Sequence, residues 1–201
     1  MFSFDLLQVV FWSITYILII VFSIIKHSYF MPIIAGFLNF SWEINALYFD
    51  LINGSYNFVT IFHFIWVSLD FLIMVIIFFY YIDKNKKMLL TFVSIPVLVI
   101  VINFIFTVKN GQLHSCFIID IIMAICYLVF SIKSHNNIIE LTVIGITKLI
   151  GDFFAFIMYR QDTLVNIIGI IVFVINAIYL IILNNKPINK IKLTINKNEI
   201  Y

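Results

Sequence analysis

Met31-Pro32-Ile33-Ile34-Ala35-Gly36-Phe37-Leu38-Asn39-Phe40-Ser41-Trp42-Glu43-Ile44-Asn45-Ala46-Leu47-Tyr48-Phe49 is a run apolar enough to cross a bilayer, yet it carries a carboxylate near its middle. A charged side chain at a helix centre costs about 2.5 to 3.5 kcal/mol on an insertion scale. A residue that costs this much is expected to face a bundle interior and to find a partner there. Two questions follow: what kind of bundle surrounds Glu43, and which other polar groups share its interior.

The bulk composition answers the first. Of 201 residues, 64% are hydrophobic and only 11% are charged. A soluble domain has roughly 45–50% apolar and about 25% charged residues. The chain therefore reads as an all-α, polytopic membrane protein. The net charge of +2 is too small to suggest a nucleic-acid partner. No Cys/His group has metal-ligand spacing. Cys116 and Cys126 are ten residues apart on one expected helix, about 15 Å, and cannot pair with each other. The N-terminus lacks a basic segment, so the first helix is expected to stay rather than be cleaved.

A spanning helix needs about 20 apolar residues. Seven segments fit: Leu6–Ile25, Phe30–Phe49, Phe58–Ile82, Met88–Thr107, Ser115–Ile132, Ile138–Tyr159 and Thr163–Leu183. Pro32 falls in the first turn of the second, and Asp50 to Asn57 reads as a turn around Asn53-Gly54-Ser55. Pro96 is expected to kink the fourth. The chain divides into a seven-helix transmembrane domain, 1–185, and a basic polar tail, 186–201. Lys26, Lys84, Lys86, Lys87, Lys133, Lys186, Lys190, Lys192 and Lys197 fall on one side, against Lys109 and Arg160 on the other. That asymmetry places the N-terminus outside and the C-terminus in the cytoplasm of a multi-pass cell-membrane protein.

The intramembrane polar groups can then be compared by depth and by face. Glu43, His63, Asp120 and Asp152 come out about 8–10 Å from the outer ends of their helices, and Asp70 about 18 Å. Helical periodicity groups Ala35, Gly36, Asn39, Trp42, Glu43 and Ala46 on helix two, and His63, Trp66 and Asp70 on helix three. It groups Asp120 with Cys116, Met123 and Tyr127 on helix five, and Lys148 with Asp152, Ala155 and Tyr159 on helix six. Lys148 is expected to pair with Asp152 along its own helix or with Asp70 across to another. His63 and Asp120 lie near enough to the outer surface to be solvated. Asn39, Asn103 and Asn176 suit interhelical hydrogen bonds. Glu43 and Asp70, each deep in an apolar run with a Trp on its own face, are the strongest functional candidates.

Three pieces of sequence carry a resemblance. Asn39-Phe40-Ser41-Trp42-Glu43, Trp66-Val67-Ser68-Leu69-Asp70 and Lys148-Leu149-Ile150-Gly151 resemble motifs of the integral-membrane terpene cyclases of fungal meroterpenoid and indole-diterpene biosynthesis, and of their bacterial relatives. That likeness implies seven transmembrane helices and proton-initiated cyclisation of a prenyl chain or its epoxide. It implies no metal and no other cofactor, a lipophilic substrate, and contact with membrane lipid. The family is thought to use a Glu on helix two and a second acid late in the chain. Here the last helix carries no carboxylate, so Asp152 on helix six and Asp70 on helix three both stand as partners for Glu43.

The chemistry suits those residues. A carboxylic acid kept from water can deliver a proton as a general acid. The cation that follows is stabilised by π faces, for which Trp42, Trp66, Tyr159 and Phe153 are candidates. Glu43 is the expected donor, with Asp70 or Asp152 orienting it. Asn39, Trp42, Trp66, His63, Lys148 and Tyr159 are the expected substrate-binding residues. Two other functions compete. Glu43, Asp70, Lys148 and Asp152 could mark a proton- or cation-coupled path in a small transporter. They could also be paired structural charges in a non-catalytic, lipid-binding membrane protein. A transporter needs polar access from both faces, whereas here the polar groups thin out in the inner half, and no internal repeat is evident.

Overall fold

The computed structural model describes residues 2–54, 58–82, 89–134 and 137–186, with side chains described except at 2–5, 81–82 and 89–98. Seven helices follow one another: α1 (Phe2–Lys26), α2 (Ile33–Ile52), α3 (Phe58–Ile82), α4 (Leu89–Asn110), α5 (Gln112–Lys133), α6 (Ile138–Tyr159) and α7 (Thr163–Asn184). The expected all-α seven-helix bundle is what forms, and no strand occurs among the described residues. The expected kink at Pro96, most of the loop lysines and nearly all of the basic tail lie outside the described side chains.

Five helices, α1, α3, α5, α6 and α7, are long and apolar enough to cross a membrane. The run from Met31 to Phe49, which falls largely in α2, is not among them. Asn39, Glu43, Asn45 and Asp50 dilute its apolar character, and Asn39, Glu43 and Asn45 are turned inward and buried. Large apolar side chains face outward instead: Phe64, Phe79 and Ile139 are each more than 60% exposed. Exposed apolar faces around a polar interior are the arrangement a lipid solvent rewards.

Local signals explain the corners. Pro32 caps α2 rather than entering its first turn, because its fixed φ suits the flanking position. Asp50 belongs to the last turn of α2, not to the following turn, which begins at Asn53. Gly111 alone joins α4 to α5, at a φ of 82° that favours a residue without Cβ. Asp162 caps α7 by accepting from the Val165 amide at 3.0 Å.

The helices form a closed circuit. α1 packs on α6 and α3, α3 on α2, α2 on α5, and α7 on both α5 and α6; α4 flanks α2 and α5. One half of the bundle is solid. Phe30, Met31, Ile73, Ile77, Leu141, Ile144, Tyr179 and Leu183 interlock there. Tyr179 lies so close to Gly145 that a Cβ would sit 2.2 Å from its ring, and its hydroxyl donates to the Leu141 carbonyl at 2.7 Å. At this end Lys26 pairs with Glu140 at 2.7 Å, and Lys186 donates to the carbonyls of Ser131, Ile132 and Ser134 that end α5. The other half is hollow.

Gly145→Ala forces a methyl into the Tyr179 ring and should lower stability by about 1–3 kcal/mol, read as a fall in Tm of the purified protein in detergent. An unchanged Tm would show that the α6–α7 seam is looser than it looks. At the hollow end, the Val165 amide and His114 hold the Asp162 carboxyl below the usual aspartate range. A depressed folded value means stability present above the unfolded value and lost as pH falls through the folded one. Acidifying from about pH 5 to about pH 3 should therefore cost the native protein more Tm than it costs Asp162→Asn.

Candidate functional site

A cavity of about 630 Å³ occupies the hollow half. Its wall comes mainly from the N-terminal halves of α1, α3 and α5 and the C-terminal halves of α2 and α6, so most of it lies toward one end of the bundle, while Tyr16 and Asn39 carry it past the middle of α1 and α2. Gln8, Val9, Trp12 and Tyr16 line it from α1; Asn39, Trp42, Glu43 and Asp50 from α2; and Val59, His63 and Trp66 from α3. From α5 come Gln112, Leu113, Cys116, Phe117, Ile119, Asp120 and Met123, and from α6 Asp152, Ala155, Met158 and Tyr159. The volume is that of a small-molecule site, and the lining has the usual form, mostly apolar with a few convergent polar groups.

The chain has three tryptophans, and all three line this cavity. Two are fixed by hydrogen bonds from their indole nitrogens. Trp42 donates to Ser115 Oγ at 3.2 Å and Trp66 to Ser13 Oγ at 3.1 Å. Trp12 is seated on Gly151, where a Cβ would lie 2.9 Å from its ring. Tyr16 bridges the set, its ring centroid 5.9 Å from Trp12 and 6.4 Å from Trp66.

Glu43 is only 3% exposed, and its Oε2 has no hydrogen-bond partner among the described residues. One turn earlier, Asn39 donates from Nδ2 to both Tyr16 Oη at 2.6 Å and Asp70 Oδ2 at 2.7 Å. Asp70 is buried but lies behind Asn39 and does not line the cavity. Among the described residues it reaches the site through that amide, and its Oδ1 is buried without a partner. A second polar group spans three helices. Lys148 donates to Asp120 Oδ1 at 2.8 Å and to Asp152 Oδ2 at 2.6 Å, and Asn176 donates to the same Asp152 oxygen at 2.8 Å. Lys148 also sits 5.2 Å above the Trp12 ring. A third pair closes the rim: His63 Nδ1 lies 2.9 Å from Asp50 Oδ2, and the His63 ring meets Trp42 edge-on at 5.6 Å.

The expected faces on helices two, three, five and six are those that line the cavity, with several corrections. Lys148 pairs along α6 with Asp152, but its interhelical partner is Asp120 on α5, not Asp70. It is a structural tie beneath the wall rather than a lining residue. His63 and Asp120 are buried and paired rather than solvated, because α2 and α6 supply counter-groups that helix ends alone do not reveal. Phe153 is turned to the outer surface against Phe154 and Phe173, and takes no part in the cavity. Cys116 and Cys126 are free. Among the described residues, no cluster of three or more His, Cys, Asp or Glu could hold a metal ion.

The lining residues of α1 are not anticipated, since among its described residues no Asp, Glu, His, Lys or Arg faces inward. The available signal is the i, i+4 spacing of Trp12 and Tyr16, one stripe with Gln8, Val9 and Ser13 beside it. Asp50 is missed because its helix runs one turn longer than expected. No protein-family model, curated protein or solved structure matches this chain.

A buried ion group loses more from removal of one partner than it gains as a whole. Lys148→Met should therefore cost about 3–5 kcal/mol, because it leaves Asp120 and Asp152 facing each other without a cation. The double change Lys148→Met with Asp120→Asn should recover part of that loss. Chemical or thermal unfolding of the three proteins in one detergent measures it; equal stability of single variant and parent would mean the triad carries no strain-bearing charge.

Proposed function

We propose that this chain is a cyclase of the integral-membrane type, in which a buried carboxylic acid starts ring closure of a prenyl chain or its epoxide. The observation that carries the reading is the position of Glu43 in the wall of the cavity, which all three indole rings also line. The likeness of the Asn39-to-Glu43 and Trp66-to-Asp70 segments to that enzyme family supports it. So does the weighting of the cavity toward one end of the bundle, since alternating transport needs access from both.

In this reading the substrate is a lipophilic small molecule drawn from membrane lipid, and the open end faces outward from a multi-pass protein of the cell membrane. Glu43 delivers its proton to a terminal double bond or to an epoxide oxygen. A neighbouring double bond supplies its electron pair to the carbon left electron-poor, and the ring closes. The last cation loses a proton from an adjacent carbon, and the carboxylate left on Glu43 takes it back. Nothing is gained or lost overall, so the reaction is an isomerisation. Trp42, Trp66 and Trp12 present π faces to the passing positive charge, and the solid half of the bundle keeps water from quenching it. Asn39 and Asp70 are positioning residues, holding Tyr16 and the α1–α2–α3 seam around the acid. Asp152 borders the same space from α6, and His63 and Tyr159 border its rim.

The test is turnover in membranes containing the protein. A panel of linear polyprenyl substrates and their epoxides, analysed by gas chromatography and mass spectrometry, should yield cyclic isomers of unchanged mass. In D2O, a product formed by protonation of a double bond should carry one added deuterium on carbon. Glu43→Gln keeps shape and polarity but removes the acid, and should lose activity by on the order of 10²–10⁴ at equal expression. Full activity in that variant would end the reading.

A further inference from the structure

The Lys148 group is one positive charge short. Two carboxylates, Asp120 and Asp152, share a single ammonium, and their side chains are 13% and 7% exposed. As ionised groups they leave a net charge of −1 in surroundings where an uncompensated charge is costly. Lys148 and Asn176 both occupy Asp152 Oδ2, while Asp152 Oδ1 is buried and has no partner among the described residues. Both aspartates line the cavity, and Lys148 does not. The unsatisfied acceptor therefore belongs to a residue on the cavity wall.

The aromatic lining has the matching property. Trp12 already carries one ammonium, that of Lys148, over its ring. Trp12 and Tyr16 line the same space as Asp152. A protonated amine is the ligand that suits an acceptor of negative charge flanked by π faces. The rest of the wall, with Val9, Phe117, Ile119 and Met123, suits a hydrocarbon chain. Among the described residues that line the cavity no lysine or arginine occurs, so no wall cation competes for the aspartate.

We propose that the cavity binds a lipophilic organic cation, a protonated alkylamine, with the ammonium on Asp152 and the chain among the aromatic and aliphatic side chains. The ligand supplies the second cation that the Asp120–Lys148–Asp152 group lacks. This uses the same cavity as the cyclisation reading but does not depend on turnover: amine binding without cyclase activity would remove that reading and leave this one standing, and the reverse outcome would do the opposite.

The experiment uses the full chain in nanodiscs of zwitterionic phosphatidylcholine, which avoids amine partitioning onto anionic lipid. N,N-Dimethyldodecylamine is compared with dodecyl methyl ether, a neutral molecule of similar length. Since every tryptophan of the chain lines the cavity, intrinsic tryptophan fluorescence reports occupancy. The amine should give a saturable change and bind at least about tenfold more tightly than the ether. Asp152→Asn should reduce amine affinity by about tenfold and leave ether affinity unchanged. Asp120→Asn, which also removes the excess charge, should act in the same direction. Equal binding of amine and ether, absence of saturation, or amine affinity untouched in both variants would each overturn the proposal. If neither variant folds, the amine-to-ether ratio on the native protein decides it alone.

Discussion

Lys148 sits at the junction on which the hollow half of this bundle depends. Its ammonium joins α6 to α5 through Asp120 and binds Asp152 on its own helix, while Asn176 of α7 reaches the same carboxylate. α7 packs on both α5 and α6. In hydrocarbon there is no water to take up a polar group, so each intramembrane charge must be answered by another element of the protein. That requirement draws α5, α6 and α7 together at one level and places Trp12 under the ammonium from α1. The cavity wall is built on this tie.

The same requirement, met in different ways, divides the interior. Near the solid end the buried polar groups are few, and packing is by apolar side chains and close glycine contacts, as where Tyr179 lies on Gly145. Toward the other end, Asn39 ties Tyr16 to Asp70, Lys148 ties Asp120 to Asp152, and His63 ties down Asp50. These ties hold helices around a space instead of filling it. Glu43 Oε2 and Asp152 Oδ1 are left over from this arrangement, and both residues border the cavity. Ser23 Oγ and Asp70 Oδ1 are also buried without a partner among the described residues, but neither residue borders the cavity, so Glu43 and Asp152 are the ones whose unsatisfied oxygens a bound molecule could meet.

Much of this was legible beforehand. Hydropathy and length located all seven helices, with α3 and α6 matched at both ends, because a lipid solvent imposes a minimum apolar length. Helical periodicity identified the inward stripes of α2, α3, α5 and α6, because an intramembrane polar residue has only one stable direction to face. Errors arose where a local signal was ambiguous. Asp50 looks like a turn residue beside Asn53-Gly54, yet His63 across the corner stabilises it within the helix. Phe153 looks like a cavity aromatic beside Asp152, but one residue's step rotates it about 100° around the helix, to the outer face.

The sequence by itself determined the class of the molecule, its helix count, and which side of most helices is polar, since these depend on spacing along a single segment. Which polar groups meet was decided only in three dimensions. Lys148 had Asp152 within reach at i, i+4, but nothing along the chain distinguishes Asp120 from Asp70 as its second partner. That choice depends on α7, which packs on both α5 and α6 and leaves Asp120 within 2.8 Å of the Lys148 ammonium. Likewise Glu43 and Asp70 looked like comparable functional candidates, with Asn39 suited to an interhelical hydrogen bond, and the packing of α3 on α2 put Asp70 behind Asn39 and left Glu43 on the wall. The cavity itself has no sequence signature at all, because it is the space left where five helices are held apart by the lengths of their own ion pairs and indole rings.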